Sequence, residues 1–316
     1  MRYLISGTSL QNTKSLAGSL GRTLLGLNSQ STPHAWQIVS RRADEADTLT
    51  RQLNLNLGAD LNSSFDSVVY GSLVPQHAED IAKEFKSARA TGLVLLPDAV
   101  EPHQWNESQS LLAAARLANL KHIILISTYA AHSASLLPSG VAWATLEKEA
   151  EETKLPLTII RPTTFMQSML FGSWSESICG RNLSVSMSNA CIAFVHSLDV
   201  AEVVNHTMAK PASPSSTVHL TGPEALTWDD VVRTFSKYLD SPVRLSKVPL
   251  WVVQPSLWIR GKNPDDIREI INQSKYYEAG GESEVTSTVE SILGRPPLSF
   301  ESFVAANKMQ WPQLHR

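Results

Sequence analysis

Cysteine is nearly absent. Cys179 and Cys191 are the only two in 316 residues, so no disulfide framework is expected, and a reducing compartment, the cytoplasm, is the simplest location. Long apolar runs are also missing. No stretch approaches the ~20 residues that cross a bilayer, and the opening MRYLISG is too short an apolar run for a signal peptide. No His, Cys, Asp or Glu spacing matches a metal site, and there is no Gly-x-Ser-x-Gly elbow. An excess of one charge is lacking too: a net charge of −3 gives no reason to expect nucleic acid or an anionic membrane as partner. Internal repeats and low-complexity segments are absent. The remaining composition, 42% hydrophobic and 18% charged, is that of a soluble globular protein.

Short β-branched or apolar runs alternate with helical patterns. Strands are expected over 3–5, 36–40, 67–70, 92–96 and 122–126, with helices over 14–25, 43–53, 76–88 and 107–118 between them. The stretch 139–170 continues the series. Residues 141–153 hold good helix formers with Leu146 and Ala150 on one face. Lys154-Leu155-Pro156 breaks that helix, and Leu157-Thr158-Ile159-Ile160 is a strand covered on both faces. This alternation indicates an α/β protein with a Rossmann-like, doubly wound parallel sheet, in which ligands bind at the strands' carboxyl ends. After Leu170 the texture changes. A hairpin-like pair is expected around Arg181-Asn182, a helix starting at Leu198 that Asp199 would cap, and a helix over 228–238 capped by Thr227. Late helices are expected over 264–280 and 282–292. The stretch 249–263, with Trp251, Trp258 and little charge, is expected to cover a pocket. Residues 1–170 are thus expected to form a dinucleotide-binding type of core. Residues 171–316 are expected to form mainly a smaller C-terminal substrate-binding lobe, with strands and helices returning to the core.

Glycine is scarce where a dinucleotide would need it. The fingerprint after the first strand uses three glycines, for the turn, for close approach of the pyrophosphate and for helix packing. Here the turn reads Gly7-Thr8-Ser9-Leu10-Gln11-Asn12-Thr13, and only Gly7 remains. The helix start near Thr13 retains the capacity to hold an anion. Arg41 and Arg42 follow the second strand.

Three stretches carry a resemblance. LPLTIIRPTTFMQSML (155–170) resembles the strand-and-loop hallmark of the NmrA-like atypical short-chain dehydrogenases/reductases. HLTGPEALTWDDVVRTFSKYLDSPV (219–243) and ILGRPPLSFESFVAANK (292–308) agree with it, the last being similar to fungal secondary-metabolite members of ergot-alkaloid pathways. The resemblance implies a dinucleotide-binding sheet, a C-terminal substrate lobe and, in the wider family, a Tyr-x-x-x-Lys pair in which lysine lowers the tyrosine's pKa. Aligned on Glu147 and Leu155, the lysine position falls on Trp143 and the tyrosine position on Ser139. Neither residue can replace the original chemistry.

Candidate general acids are Tyr129 and His132, in the loop after the fifth strand, Asp98 after the fourth, and Glu147, one helical turn beyond Trp143. Candidate substrate contacts are Trp143, Phe165, Met166, Gln167 and Met169, with Trp174, Trp251 and Trp258 enriching an aromatic pocket. Gly7, Thr13 and Arg41 are the cofactor contacts if one is kept. No metal is expected. The loss of glycines and lysine together leads to the expectation of a cofactor-independent acid/base isomerase or cyclase acting on a hydrophobic, alkaloid-like small molecule. The alternatives are an NADPH-dependent reductase of an imine or enone intermediate and a non-enzymatic regulator of the NmrA type.

Overall fold

A computed structural model of the protein describes residues 2–6, 20, 23–24, 35–40, 66–69, 77–97, 102–210, 215–239 and 241–313. Two compact units emerge. The first is Met1–Thr128 with Ala142–Arg161 and Val200–Val218, and the second is Tyr129–Val141 with Pro162–Asp199 and His219–Arg316.

The first unit is built on the expected sheet. Strands β1 (Arg2–Ser6), β2 (Ala35–Ser40), β3 (Asp66–Val69), β4 (Gly92–Leu95), β5 (His122–Ile126), β6 (Leu157–Pro162) and β9 (Ser216–Leu220) lie in the order β3-β2-β1-β4-β5-β6-β9. Every pairing from β3 through β6 is parallel. All residues of β4 and β5 are buried, as expected of strands with helices on both faces. Between the strands run helices α1 (Ala78–Ser87), α2 (Pro102–Ala118) and α3 (Pro138–Glu152). Helix α1 buries Ala78, Ile81, Ala82 and Phe85, the i, i+3, i+4, i+7 set of one face. Leu20 and Leu24 are helical and buried, as their spacing requires. The expected helix over 43–53 lies outside the described residues. Helix α2 begins at Pro102, ahead of the expected 107, because proline is compatible with a helix's first turn.

One polar chain crosses this apolar core. The Tyr3 hydroxyl meets His122 Nδ1 at 3.1 Å, and His122 Nε2 meets Thr158 Oγ1 at 3.0 Å. A glycine makes room for it: a Cβ on Gly92 would stand 2.3 Å from the Tyr3 ring. Burial holds the His122 pKa below its ordinary value, so the ring is neutral in the fold.

The second unit packs around Trp228, Phe235, Phe300, Phe303 and Trp311, all buried. Its elements are helices α4 (Gly172–Cys179), α6 (Trp228–Tyr238), α7 (Leu250–Ile259), α8 (Pro264–Glu278), α9 (Thr288–Leu293) and α10 (Phe300–Asn307), with strands β7 (Asn182–Val185), β8 (Cys191–Ile192), β10 (Leu226–Thr227) and β11 (Arg244–Lys247). Helix α5 (Ser197–Ala209) begins in this unit and runs into the first. Thr227 caps α6 as expected, in a reciprocal capping box with Asp230. The Trp311 indole donates to the Met169 carbonyl at 2.8 Å.

Several expectations are corrected. No hairpin forms at Arg181-Asn182. Instead β7 pairs in parallel with β11, a strand whose partner lies too far along the chain for turn signals to reveal. Asp199 does not cap its own helix: its carboxylate accepts the Leu298 amide at 2.8 Å and pairs with Arg295. The expected helix over 282–292 shrinks to α9, because Gly280 takes a φ of +79° and 281–287 runs as turn and loop. Trp251 and Trp258, expected to cover a pocket, are exposed. Helices α1 to α4 are each followed by a non-glycine residue in the left-handed region, Arg89, Asn119, Lys154 and Arg181, with φ of 53°, 54°, 59° and 55°.

Because the fold lowers the His122 pKa, its stability contribution is present above the unfolded value of 6.5 and is lost as pH falls below it. Tyr3→Phe should cost about 1–2 kcal/mol in urea unfolding at neutral pH, by removing the hydroxyl partner of a buried ring nitrogen. An unchanged midpoint would show that the Tyr3–His122 contact contributes nothing.

Candidate functional site

The first unit gathers one charged group at the carboxyl ends of β5 and β6. Glu147, buried on α3, accepts from Ser127 Oγ at 2.5 Å, Arg161 Nε at 2.9 Å and Arg161 Nη2 at 2.5 Å. Both of its oxygens are engaged by a bidentate guanidinium, so this carboxylate serves as a rigid counter-charge that ties helix to strand. Trp143, one turn earlier, is half-buried and packs against the apolar core of the unit. Gly7, Thr13, Arg41 and Asp98 lie outside the described residues.

The second unit holds a different acid, one that the sequence reading missed. Thr164, two residues beyond β6, donates its backbone amide to Glu282 Oε2 at 2.6 Å, and its hydroxyl meets the Tyr277 hydroxyl at 2.7 Å. Glu282 is 3% exposed and forms no salt bridge among the described residues. Burial raises its pKa to about 7, against the opposing pull of the Thr164 amide and hydroxyl. The turn carrying it is pinned on two sides: Ala193 donates its amide to the Glu282 carbonyl at 2.8 Å, and the Tyr276 hydroxyl donates to the Gly281 carbonyl at 2.9 Å. Burial, and then the nearby Glu282, push the Tyr276 and Tyr277 phenols well above the ordinary range.

Tyr129 joins the same unit. Its hydroxyl donates to Glu284 Oε2 at 2.6 Å, and its ring stands edge-on to His219 at 5.2 Å. Burial first, then the bond to Glu284, raise its pKa. His132 is exposed and accepts the Ala134 amide at 3.0 Å. Ser139, at the position where the resemblance puts tyrosine, donates its hydroxyl to Glu269.

The expected substrate contacts divide. Phe165 is half-buried beside Val195. Met166 and Met169 are fully buried in the aromatic core. Gln167 is occupied by the start of α5, its Oε1 accepting the Ser197 amide at 3.0 Å and its Nε2 meeting His196 Nε2 at 3.2 Å. Tyr129 and Phe165 thus remain partly accessible, while Glu282 supplies a group able to exchange a proton near neutral pH. A Gly-Gly turn followed by acids was the visible signal at 280–284. Its meaning depends on a contact 118 residues away.

No family model matches the chain. Among curated relatives, an NAD(P)H azoreductase of Xenophilus azovorans is 24% identical over 67% of this chain and 72% of its own. An agroclavine dehydrogenase of Claviceps fusiformis is 26% identical over 49% of this chain and 54% of its own. Among solved structures, an NADPH-dependent quinone oxidoreductase of Escherichia coli complexed with NADPH superposes with a TM-score of 0.76 at 15% identity, covering 96% of this chain and 99% of that one. The expectation of no cofactor is corrected by these relatives, which are nicotinamide-dependent or dehydrogenating proteins. It rested on missing glycines and a missing lysine. Glycines ease the approach of a pyrophosphate, but its chief ligands are backbone amides at a helix start, which any residue supplies. The expectation of an isomerase or cyclase gives way with it.

The raised pKa of Glu282 means the fold favours its neutral form. That contribution is complete below about 4.5 and is lost as pH rises through about 7. Glu282→Gln should flatten the decline in stability between about pH 5 and 8 by on the order of 2–3 kcal/mol, measured by thermal or urea unfolding at both pH values. Parallel pH profiles for the two proteins would refute the assignment.

Proposed function

We propose that this chain, a member of the NmrA-like atypical short-chain dehydrogenases/reductases, is an NADPH-dependent reductase of a conjugated, largely apolar small molecule such as an imine or enone. The observation that carries this reading is the likeness over two thirds of the chain to a relative named as an NAD(P)H azoreductase. The sheet order fits such a cofactor. The chain winds from β1 out to β3 on one side and from β4 through β6 on the other, so its direction reverses between β1 and β4, the switch point at which open α/β sheets hold nucleotides.

Gly7 and Thr13 would hold the pyrophosphate, and Arg41 the 2′-phosphate. Bound NADPH supplies a hydride. Reduction of a polarised double bond also needs a proton, and with serine and tryptophan at the tyrosine and lysine positions that proton must come from elsewhere. Within the second unit, Glu282, with the Thr164 and Tyr277 hydroxyls beside it, is the acid that holds a proton near neutral pH. Tyr129, held by Glu284, is a poorer acid because its phenol is raised. Glu147 is held by Arg161 and orients α3.

Calorimetric titration should give a Kd for NADPH in the micromolar range or below. Arg41→Glu should weaken NADPH at least ~10-fold while changing NADH little, since only the former carries the 2′-phosphate. Loss of NADPH absorbance should accompany addition of a quinone, azo or enone acceptor. Absence of NADPH binding at millimolar concentration would end this reading.

A further inference from the structure

Helix α7 is largely apolar. Its sequence, LWVVQPSLWI, has no charged residue, and none of its side chains is buried. Trp251, Trp258 and Ile259 are 77%, 72% and 80% exposed. Trp251, Pro255 and Trp258 stand at positions i, i+4 and i+7, one stripe of the helix, and Val252 and Ile259 widen that stripe on the same side. Single exposed apolar residues are ordinary, but a continuous face with two indoles marks a surface that meets something other than water.

The flanking charge indicates what it meets. Arg260 and Lys262 follow the helix directly and are exposed. Neither forms an ion pair among the described residues. Asp265, the nearest acid in sequence, is taken by Arg268. The helix is too short to cross a bilayer, and no described helix is long and apolar enough to do so. A short apolar face with indoles and an adjoining unpaired basic pair is the chemistry of a helix lying in the headgroup region.

We propose that α7 seats the protein reversibly on an anionic lipid surface, with Trp251 and Trp258 at headgroup depth and Arg260 and Lys262 against lipid phosphates. The net charge of −3, which argued against an anionic membrane, is a sum over the whole chain and does not register this local pair. The proposal is independent of the reductase reading.

Co-sedimentation with vesicles tests it. The full chain should pellet with phosphatidylcholine and phosphatidylserine mixed at about 7:3, more weakly with phosphatidylcholine alone, and less in high salt. Tryptophan emission should shift to the blue on binding. Trp251→Ser with Trp258→Ser should weaken binding at least ~10-fold. Arg260→Glu with Lys262→Glu should remove the preference for phosphatidylserine and the salt dependence. Circular dichroism and melting should match the parent in both double variants. If the tryptophan pair fails this folding check, the charge pair, on exposed side chains past the helix, decides. Failure of the parent to pellet with either vesicle would overturn the proposal, as would unaltered binding of the charge variant. So would a dimer in lipid-free sedimentation that the tryptophan variant dissociates, since the face would then belong to a second copy.

Discussion

Every residue of β5, from His122 to Ile126, is withdrawn from water, and so is every residue of β4. A parallel strand with helices on both faces has no wet side on which to display a polar group. A polar residue inside it must bring its partners along, and His122 does so with Tyr3 and Thr158. The rest of the polar chemistry is displaced to the strand ends, where chain leaves the sheet and backbone groups need new partners. Ser127, Arg161 and Thr164 all stand at such exits, and each is bonded to a carboxylate.

The two buried carboxylates illustrate how surroundings divide one functional group into two kinds. Glu147 faces a guanidinium that answers its charge and fixes its orientation. Glu282 faces an amide, hydroxyls and aromatic rings, none of which carries positive charge, so its ionised form is poorly supported and its proton is held to about pH 7. The first suits architecture and the second suits proton exchange, although both are glutamates within hydrogen-bond reach of a β6 exit.

Much of the first unit was legible because its signals are local. Apolar runs gave β4, β5 and β6, and the Leu20/Leu24 and Leu146/Ala150 spacings gave helix faces; in the second unit, Thr227 ahead of a helical pattern gave a cap. The site was less legible because its defining contacts are remote. Glu282 acquires its character from burial, with Thr164 as a hydrogen-bond partner far off in sequence, and Asp199 is drawn from its own helix to Leu298. Met166, Gln167 and Met169 were correctly placed after a strand's carboxyl end, but periodicity cannot tell a residue lining a cavity from one filling a core. The stretch Gly7 to Thr13 misled for another reason: glycine counts report steric ease, while anion binding rests on backbone amides common to all residues.

The left-handed residues after α1, α2, α3 and α4 have a consequence for how the molecule assembles. Asparagine enters that region readily, whereas the Cβ of arginine and lysine crowds the neighbouring carbonyl there. After α1 and α2 the reversal is closed locally: Ala90 donates its amide to the Phe85 carbonyl at 3.0 Å, and Leu120 to that of Ala115 at 3.1 Å. These helices therefore carry their own stop, and the chain leaves them already turned toward the following strand.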